Sequence, residues 1–305
     1  MTPRGAIAGG GLALVVGLAA SAAALNAGDA IQGPPVDTER LLYLRSGPLA
    51  QRMMLSFDAL AADVYWMRTI QHYGRDRRST RTTDRFELLA PLLDLTTTLD
   101  PKFNIAYRFG AIFLAEPPPS GPGRVDQSVA LLKKGLEHNP GRWQYAFDIG
   151  FIYYWYGTGQ GRRAPDYDVA ARWFEESAAM PGAPVWIRQL AAMTRAEGGD
   201  TRGARRALLE LATSEEPWVR RVAARALDQV SAIEMLAQLQ QRVDAYLATN
   251  DRVPARWADL THGAPQDAAP MDPAGFPFEL DLVSGRVTLS SASPLFPLPR
   301  MADAR

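Results

Sequence analysis

The 305-residue chain contains no cysteine, which removes disulfides, thiolate metal sites and cysteine nucleophiles at once. It has only three lysines, Lys102, Lys133 and Lys134, so arginine supplies almost all of its positive charge. Alongside abundant Ala and Gly, that bias reads as the coding of a GC-rich genome rather than as arginine chemistry. Neither sign of charge prevails: 33 basic residues meet 33 acidic ones. A neutral chain lacks the basic face that phosphate binding needs, so nucleic acid is not an expected partner. Catalytic signatures are missing as well. His72, His138 and His262 have no metal-ligand spacing and read as surface or turn residues. Neither GxSxG nor HExxH occurs. Gly157-Thr-Gly-Gln-Gly161 mimics a phosphate loop, but it follows a helical pattern and no Lys-Ser/Thr comes after it. Asp58 and Asp63, five residues apart, fall on different helix faces and do not pair as acids. The expectation is a protein that is not an enzyme and takes no metal and no small-molecule cofactor.

Hydrophobic content of 47% and charge of 22% are globular values, and the length suits one large domain or two smaller ones. After Arg4, Ala6 to Leu25 is an uncharged run of Ala, Gly, Leu, Val and Ile, about as long as a bilayer is thick. A retained anchor would keep Arg4 inside and Asp29 outside. A cleaved signal peptide would use the small residues between Ser21 and Ala27. Residues 1–28 are therefore expected to be a transmembrane anchor or signal peptide and 29–47 a linker. On the anchor reading the protein is a single-pass inner-membrane protein with its bulk periplasmic.

Pro48 to Gly74 recurs at helical spacing through Leu49, Met53, Phe57, Leu60, Val64, Met67 and Ile70. Arg75 to Arg85 carries five arginines and reads as a solvated connection, with contact to anionic lipid or an acidic partner as the alternative. Phe86 to Leu99 is the next helix, stopped by Asp100-Pro101.

From Pro101 the chain repeats. One unit has Ala106, Phe109, Gly110 and Phe113 in its first helix, then Ser128, Leu132 and Gly135 in its second. The next has Ala146, Ile149, Gly150 and Tyr153, then Ala170, Phe174 and Ser177. Leu89, Leu93 and Thr96 upstream, and Ala204, Leu208 and Leu211 downstream, occupy second-helix places in flanking units. This pattern resembles the tetratricopeptide repeat, in which a large residue, Leu-Gly and Tyr mark the first helix and Ala, an aromatic and Ala mark the second. Gly110 and Gly150 would let paired helices cross without a Cβ between them. The spacing departs from the family: Gly110 to Gly150 is 40 residues, against about 34 for that repeat. The excess lies between the two helices of each unit, as PPPSGPG at Pro117 to Gly123 and GTGQGRRAP at Gly157 to Pro165. Both insertions would then emerge on one rim of a stack.

Residues 48–217 are thus expected to be tetratricopeptide-like repeats and 218–248 capping helices. Residues 249–305 read as an irregular tail with a β-hairpin through Phe278–Leu282, Ser284-Gly285 and Val287–Leu289. The order helix, NDRVP, DPAGFPFELD and SGRV also resembles, over about 50 residues and with loose motifs, the tail of pseudopilin-type proteins. The fold class expected is all-α, a helical-hairpin solenoid with an N-terminal membrane helix and a small C-terminal hairpin.

The repeat resemblance implies a groove lined by first helices, with Asn104, Tyr107, Ala111 and Leu114 from one unit. Gln144, Phe147, Phe151, Tyr154 and Trp155 would come from the next. Aromatic rings with polar tips anchor docked peptides well. The implied function is a membrane-tethered scaffold that binds protein partners in a bacterial envelope assembly. Alternatives are an assembly factor for a secretion or pilus-like system, and a non-catalytic accessory subunit of an envelope polysaccharide enzyme. Whether the groove holds a partner or the chain's own tail stays open at this point.

Overall fold

The computed structural model describes residues 51–54, 56–80, 85–157, 165–260 and 269–299. The chain divides into two compact units, Met1–Arg45 and Ser46–Arg305, and all described residues belong to the second. The expected anchor, the linker, residues 158–164 of the second insertion, His262 and residues 300–305 lie outside the described residues. No helix among the described residues is long and apolar enough to cross a membrane.

The described chain is all-α apart from one two-stranded ribbon. Its helices are α1 (Asp58–Arg78), α2 (Leu89–Leu99), α3 (Asn104–Ala115), α4 (Val125–His138), α5 (Trp143–Tyr156), α6 (Tyr167–Ala179), α7 (Trp186–Glu197), α8 (Thr201–Ala212) and α9 (Pro217–Asn250). Each helix packs on the next in chain order. Within a pair the packing is antiparallel. The Arg124 amide donates to the Leu114 carbonyl, and further along Ser128 Oγ donates to the Ala111 carbonyl at 2.7 Å. In the next pair the Asp166 amide reaches the Tyr153 carbonyl, and Ser177 Oγ reaches that of Trp143 at the far end.

The two spaced glycines do what their positions demand. A Cβ on Gly110 would lie 2.4 Å from Leu93 Cδ2 of α2 and 3.1 Å from Leu131 of α4. A Cβ on Gly150 would lie 2.6 Å from the Phe174 ring of α6 and 3.1 Å from the Ala170 carbonyl oxygen. Around these contacts Leu89, Leu93, Leu132, Ile149 and Phe174 are buried, each contributing about 2 kcal/mol of apolar transfer. Polar clamps join positions one repeat apart. Lys134 Nζ bonds Asp94 Oδ1 at 2.7 Å, and Arg108 bonds Asp148, both 40 residues on.

Four boundaries or placements differ from the sequence expectation. The first long helix starts at Asp58 rather than Pro48, because Ser56 turns the chain with φ 77° just before it. It passes Gly74 and runs to Arg78. A glycine inside a helix costs only about 1 kcal/mol, and Arg75, Arg77 and Arg78 favour the C-terminal end of the helix dipole. The next helix begins at Leu89, since Phe86 sits at φ 61° with its amide donating to Asp76 Oδ2. His72 is buried rather than superficial, 3.5 Å from Asp76 across one helical turn.

At the C-terminal end α9 is one helix of 34 residues. Arg205 of α8 ties to it through Ser231 and Glu234, and the tail lies along it. Strands β1 (Glu279–Leu280) and β2 (Val287–Thr288) pair antiparallel. Phe278, Val287, Leu289 and Leu295 bury against Ala232, Leu239 and Val243 of α9. Gln240 clamps the ribbon by donating to the Gly285 carbonyl and accepting from the Val287 amide. Gln229 donates to the Leu295 carbonyl at 3.0 Å and to that of Pro297 at 3.3 Å, so residues 295–297 are held against α9. The described tail is thus engaged with α9.

Candidate functional site

An α-helix of fourteen residues, α5, carries eight aromatic side chains. Such a helix cannot bury every face against one neighbour. Tyr145, Ile149 and Ile152 turn into the core, where the Tyr145 ring sits 5.4 Å from that of Tyr107. Gly150 receives the Phe174 ring on another side. What is left forms a platform. Phe151 is 36% exposed and Trp155 56% exposed, with their ring centroids 6.1 Å apart. Tyr154 meets Trp155 edge-on at 5.5 Å and Tyr167 of α6 at the same separation. One turn earlier the Phe147 ring fits between Phe174 at 5.3 Å and the exposed Trp186 of α7 at 5.5 Å.

The expected groove residues therefore part company. Phe151, Tyr154 and Trp155 share the platform, with Phe147 half-buried at its edge and Gln144 half-buried a turn away. Asn104 is half-buried at the start of α3. Tyr107, Ala111 and Leu114 are fully buried and line no surface. The reason is rotation of α3: Tyr107 donates to the Thr97 carbonyl and stacks toward Tyr145, while Ala111 faces α4. The face of α3 that does meet solvent carries Ile105, Phe109 and Ile112 instead. Phe109, expected inside the repeat, is on that outer face.

Two partners missed in the sequence are Tyr167 and Trp186. A signal was present, since Ile187, Leu190, Ala191 and Thr194 follow the helical i, i+3, i+4, i+7 pattern between Pro184 and Asp200. That spacing marks the helix observed as α7.

Buried charge underlies the platform. Asp148, on α5, takes a two-pronged bond from Arg108, Nε at 2.5 Å and Nη2 at 2.9 Å. Burial pushes the Asp148 carboxyl above the usual carboxylate range, and the Arg108 guanidinium pulls it back. The bond to Asp148 in turn raises Arg108. On α7, Glu197 is buried and its carboxyl is pushed up by burial, opposed by the Tyr154 hydroxyl that donates to it. Its Oε2 has no hydrogen-bond partner, nor has Thr194 Oγ1 one turn before it.

This arrangement offers ring faces and edges to an apolar ligand. It presents no nucleophile beside a base, and among the described residues no group of three His, Asp or Glu could hold a metal. A separate cleft of about 440 Å³ lies where α6, α7 and α8 meet, lined in part by Glu175, Arg188 and Glu210, and shares no residue with the platform. No protein-family model, curated protein or solved structure matches the chain.

Proposed function

We propose that the protein is a tetratricopeptide-like helical solenoid that serves as a protein–protein scaffold in a bacterial envelope assembly, held to the membrane by its N-terminal apolar run. The observation that carries this reading is the ring platform of Phe151, Tyr154 and Trp155 with Trp186 beside it. Large amphipathic rings left at the surface of an otherwise well-buried helix are costly unless something covers them. Aromatic anchors concentrate binding energy, each worth about 2 kcal/mol or more at the centre of an interface. The described tail is committed to α9, which favours a separate polypeptide as the occupant. Recurrence of the glycine crossings supports the repeat reading, because a stacked array exposes one edge of each first helix.

The test is recovery of partners from envelope extracts by the tagged full chain and by its Phe151→Ala and Trp155→Ala variants. The expected result is loss of one defined set of partners with the circular dichroism spectrum unchanged. Equal recovery by all three proteins would refute the platform as the binding site. Fractionation with N-terminal sequencing checks the tether, and a mature chain starting near Gly28 would exclude a retained anchor.

A further inference from the structure

Helix α1 buries one face against its neighbours and leaves the other without a described cover. Ala61, Ala62, Tyr65, Thr69, His72 and Tyr73 turn inward. On the far side Leu60 is 62% exposed and Met67 54% exposed, with Phe57 exposed before them. The spacing of that outer face is not that of a random apolar patch. Phe57, Leu60, Val64, Met67 and Gln71 alternate steps of three and four, the seam of a two-stranded coiled coil. Phe57, Val64 and Gln71 hold one kind of seam position, Leu60 and Met67 the other. A β-branched residue at the first kind with leucine at the second favours a parallel pair of helices, and one polar residue in the seam fixes its register. Val64, Leu60 and Gln71 supply those features.

The flanks decide between orientations. Asp63 and Arg68 border the seam on opposite sides, five residues apart. In a parallel pair that separation brings the Asp63 carboxylate of one chain to the Arg68 guanidinium of the other, twice by symmetry. An antiparallel pair that keeps Leu60, Val64 and Met67 together sets Asp63 opposite Ile70 and leaves its charge unanswered. Asp63 also argues against a lipid surface as the occupant. It lies between Leu60, Met67 and Ile70 on the same face, where insertion would carry a carboxylate into hydrocarbon.

We propose that α1 is a self-association surface, on which two copies of this chain pair in parallel through Leu60, Val64 and Met67. The surface is separate from the α5 platform, and either can fail without the other. A seam of two heptads is short of the roughly 800 Å² per side that stable interfaces bury, so the pair is weak and concentration-dependent.

The absence of cysteine makes the test clean. Single Leu60→Cys, Val64→Cys and Ala59→Cys variants of the full chain in detergent are mildly oxidised across a concentration series. In the parallel pair residues 60 and 64 each face their own copies at a Cα separation a disulfide can span, about 6 Å. Disulfide-linked dimers are expected from Leu60→Cys and Val64→Cys, and none from the exposed Ala59→Cys off the seam. A Met67→Glu variant should weaken the dimer at least tenfold in sedimentation, with helicity unchanged. Crosslinking at residue 59 equal to that at 60 and 64, or crosslinking only in a Leu60→Cys/Gln71→Cys double variant, would overturn the parallel pairing. A monomer at every concentration would overturn it too, as would monomeric protein that floats with anionic phospholipid vesicles and is released by Met67→Glu.

Discussion

Helices α3 and α5 carry matching residues 40 positions apart and yet bury opposite faces. Gly110 and Gly150 both sit at helix crossings, and Ala106 and Ala146 are both buried. Around that shared pivot the exposures exchange. Ile105, Phe109 and Ile112 face solvent, while their counterparts Tyr145, Ile149 and Ile152 lie in the core. Ala111 is buried, and its counterpart Phe151 is on the surface. The difference is one of neighbours. In α5 the face in question is covered by the preceding pair, where the Tyr107 ring meets Tyr145. In α3 the earlier helix α1 touches the flank, where Phe113 stacks with Trp66 at 6.1 Å and with Tyr73 at 4.2 Å. Repetition sets where helices begin and cross. What lies next to each one sets which side is dry.

The comparison is most exposed to failure at the paired positions 109 and 149. Ile149 is 0% exposed, so Ile149→Ala removes buried methylenes and leaves a cavity, costing about 3 kcal/mol. Phe109 is 53% exposed, and Phe109→Ala is expected to cost at most about 1 kcal/mol despite the larger atom loss. Urea unfolding of both variants reads the difference directly. Equal costs would mean that the two helices present the same face after all.

The crossing glycines give a smaller contrast. Replacement of either by alanine gains about 1 kcal/mol of helix propensity, against which the clash must be set. At Gly150 the added methyl meets an aromatic ring at 2.6 Å and a backbone carbonyl at 3.1 Å, neither of which yields easily. Gly150→Ala is expected to be destabilising by about 2 kcal/mol. At Gly110 the nearest atom is the end of the Leu93 side chain, which can rotate, so Gly110→Ala should fall within about 1 kcal/mol of neutral. Thermal unfolding of the two variants side by side tests the ordering, and a more damaging Gly110→Ala would reverse it.

These contrasts also mark what was legible in the residues. Helix positions from Leu89 to Leu211, the buried small residues at 110, 128, 150, 170 and 177, and the long α9 all follow from periodicity, because spacing encodes which residues share a face. Which face is covered is a property of the neighbour, and spacing within one helix carries no record of it. That is why the repeat pattern alone points Tyr107 and Leu114 to a groove they do not line. Phe151, Tyr154 and Trp155 stood out because a helix with rings on every side must leave some outside. Tyr167 and Trp186 complete the platform from other helices; spacing marks the helix that carries Trp186, but only the way α6 and α7 lie brings the two rings to α5. The start of α1 was hidden for another reason: Met53 and Phe57 continue the apolar spacing across the turn at Ser56, and a turn made by a non-glycine residue leaves little trace in composition.

The smallest expected effect concerns the carboxyl beneath the platform. Both unpartnered oxygens described on α7, Glu197 Oε2 and Thr194 Oγ1, lie in buried residues of one helix face. Burial raises the folded-state value of Glu197 above its ordinary value of 4.5. A raised acid contributes its full stability below the unfolded value and loses it as pH climbs through the folded one. The native chain should therefore weaken from this group as pH rises above about 4.5, in the direction opposite to a salt-bridged carboxylate. Glu197→Gln keeps an acceptor for the Tyr154 hydroxyl and never ionises. Its melting temperature should match that of the native chain near pH 4 and exceed it near pH 7.5. A gain that is the same at both values would assign the effect to packing, and a loss at pH 7.5 would mean that the ionised carboxylate is held by a cation. Because Glu197 reaches the platform through the Tyr154 hydroxyl, for which Gln keeps an acceptor, partner recovery by this variant should remain at the native level, separating the stability of the α5–α7 junction from the surface it supports.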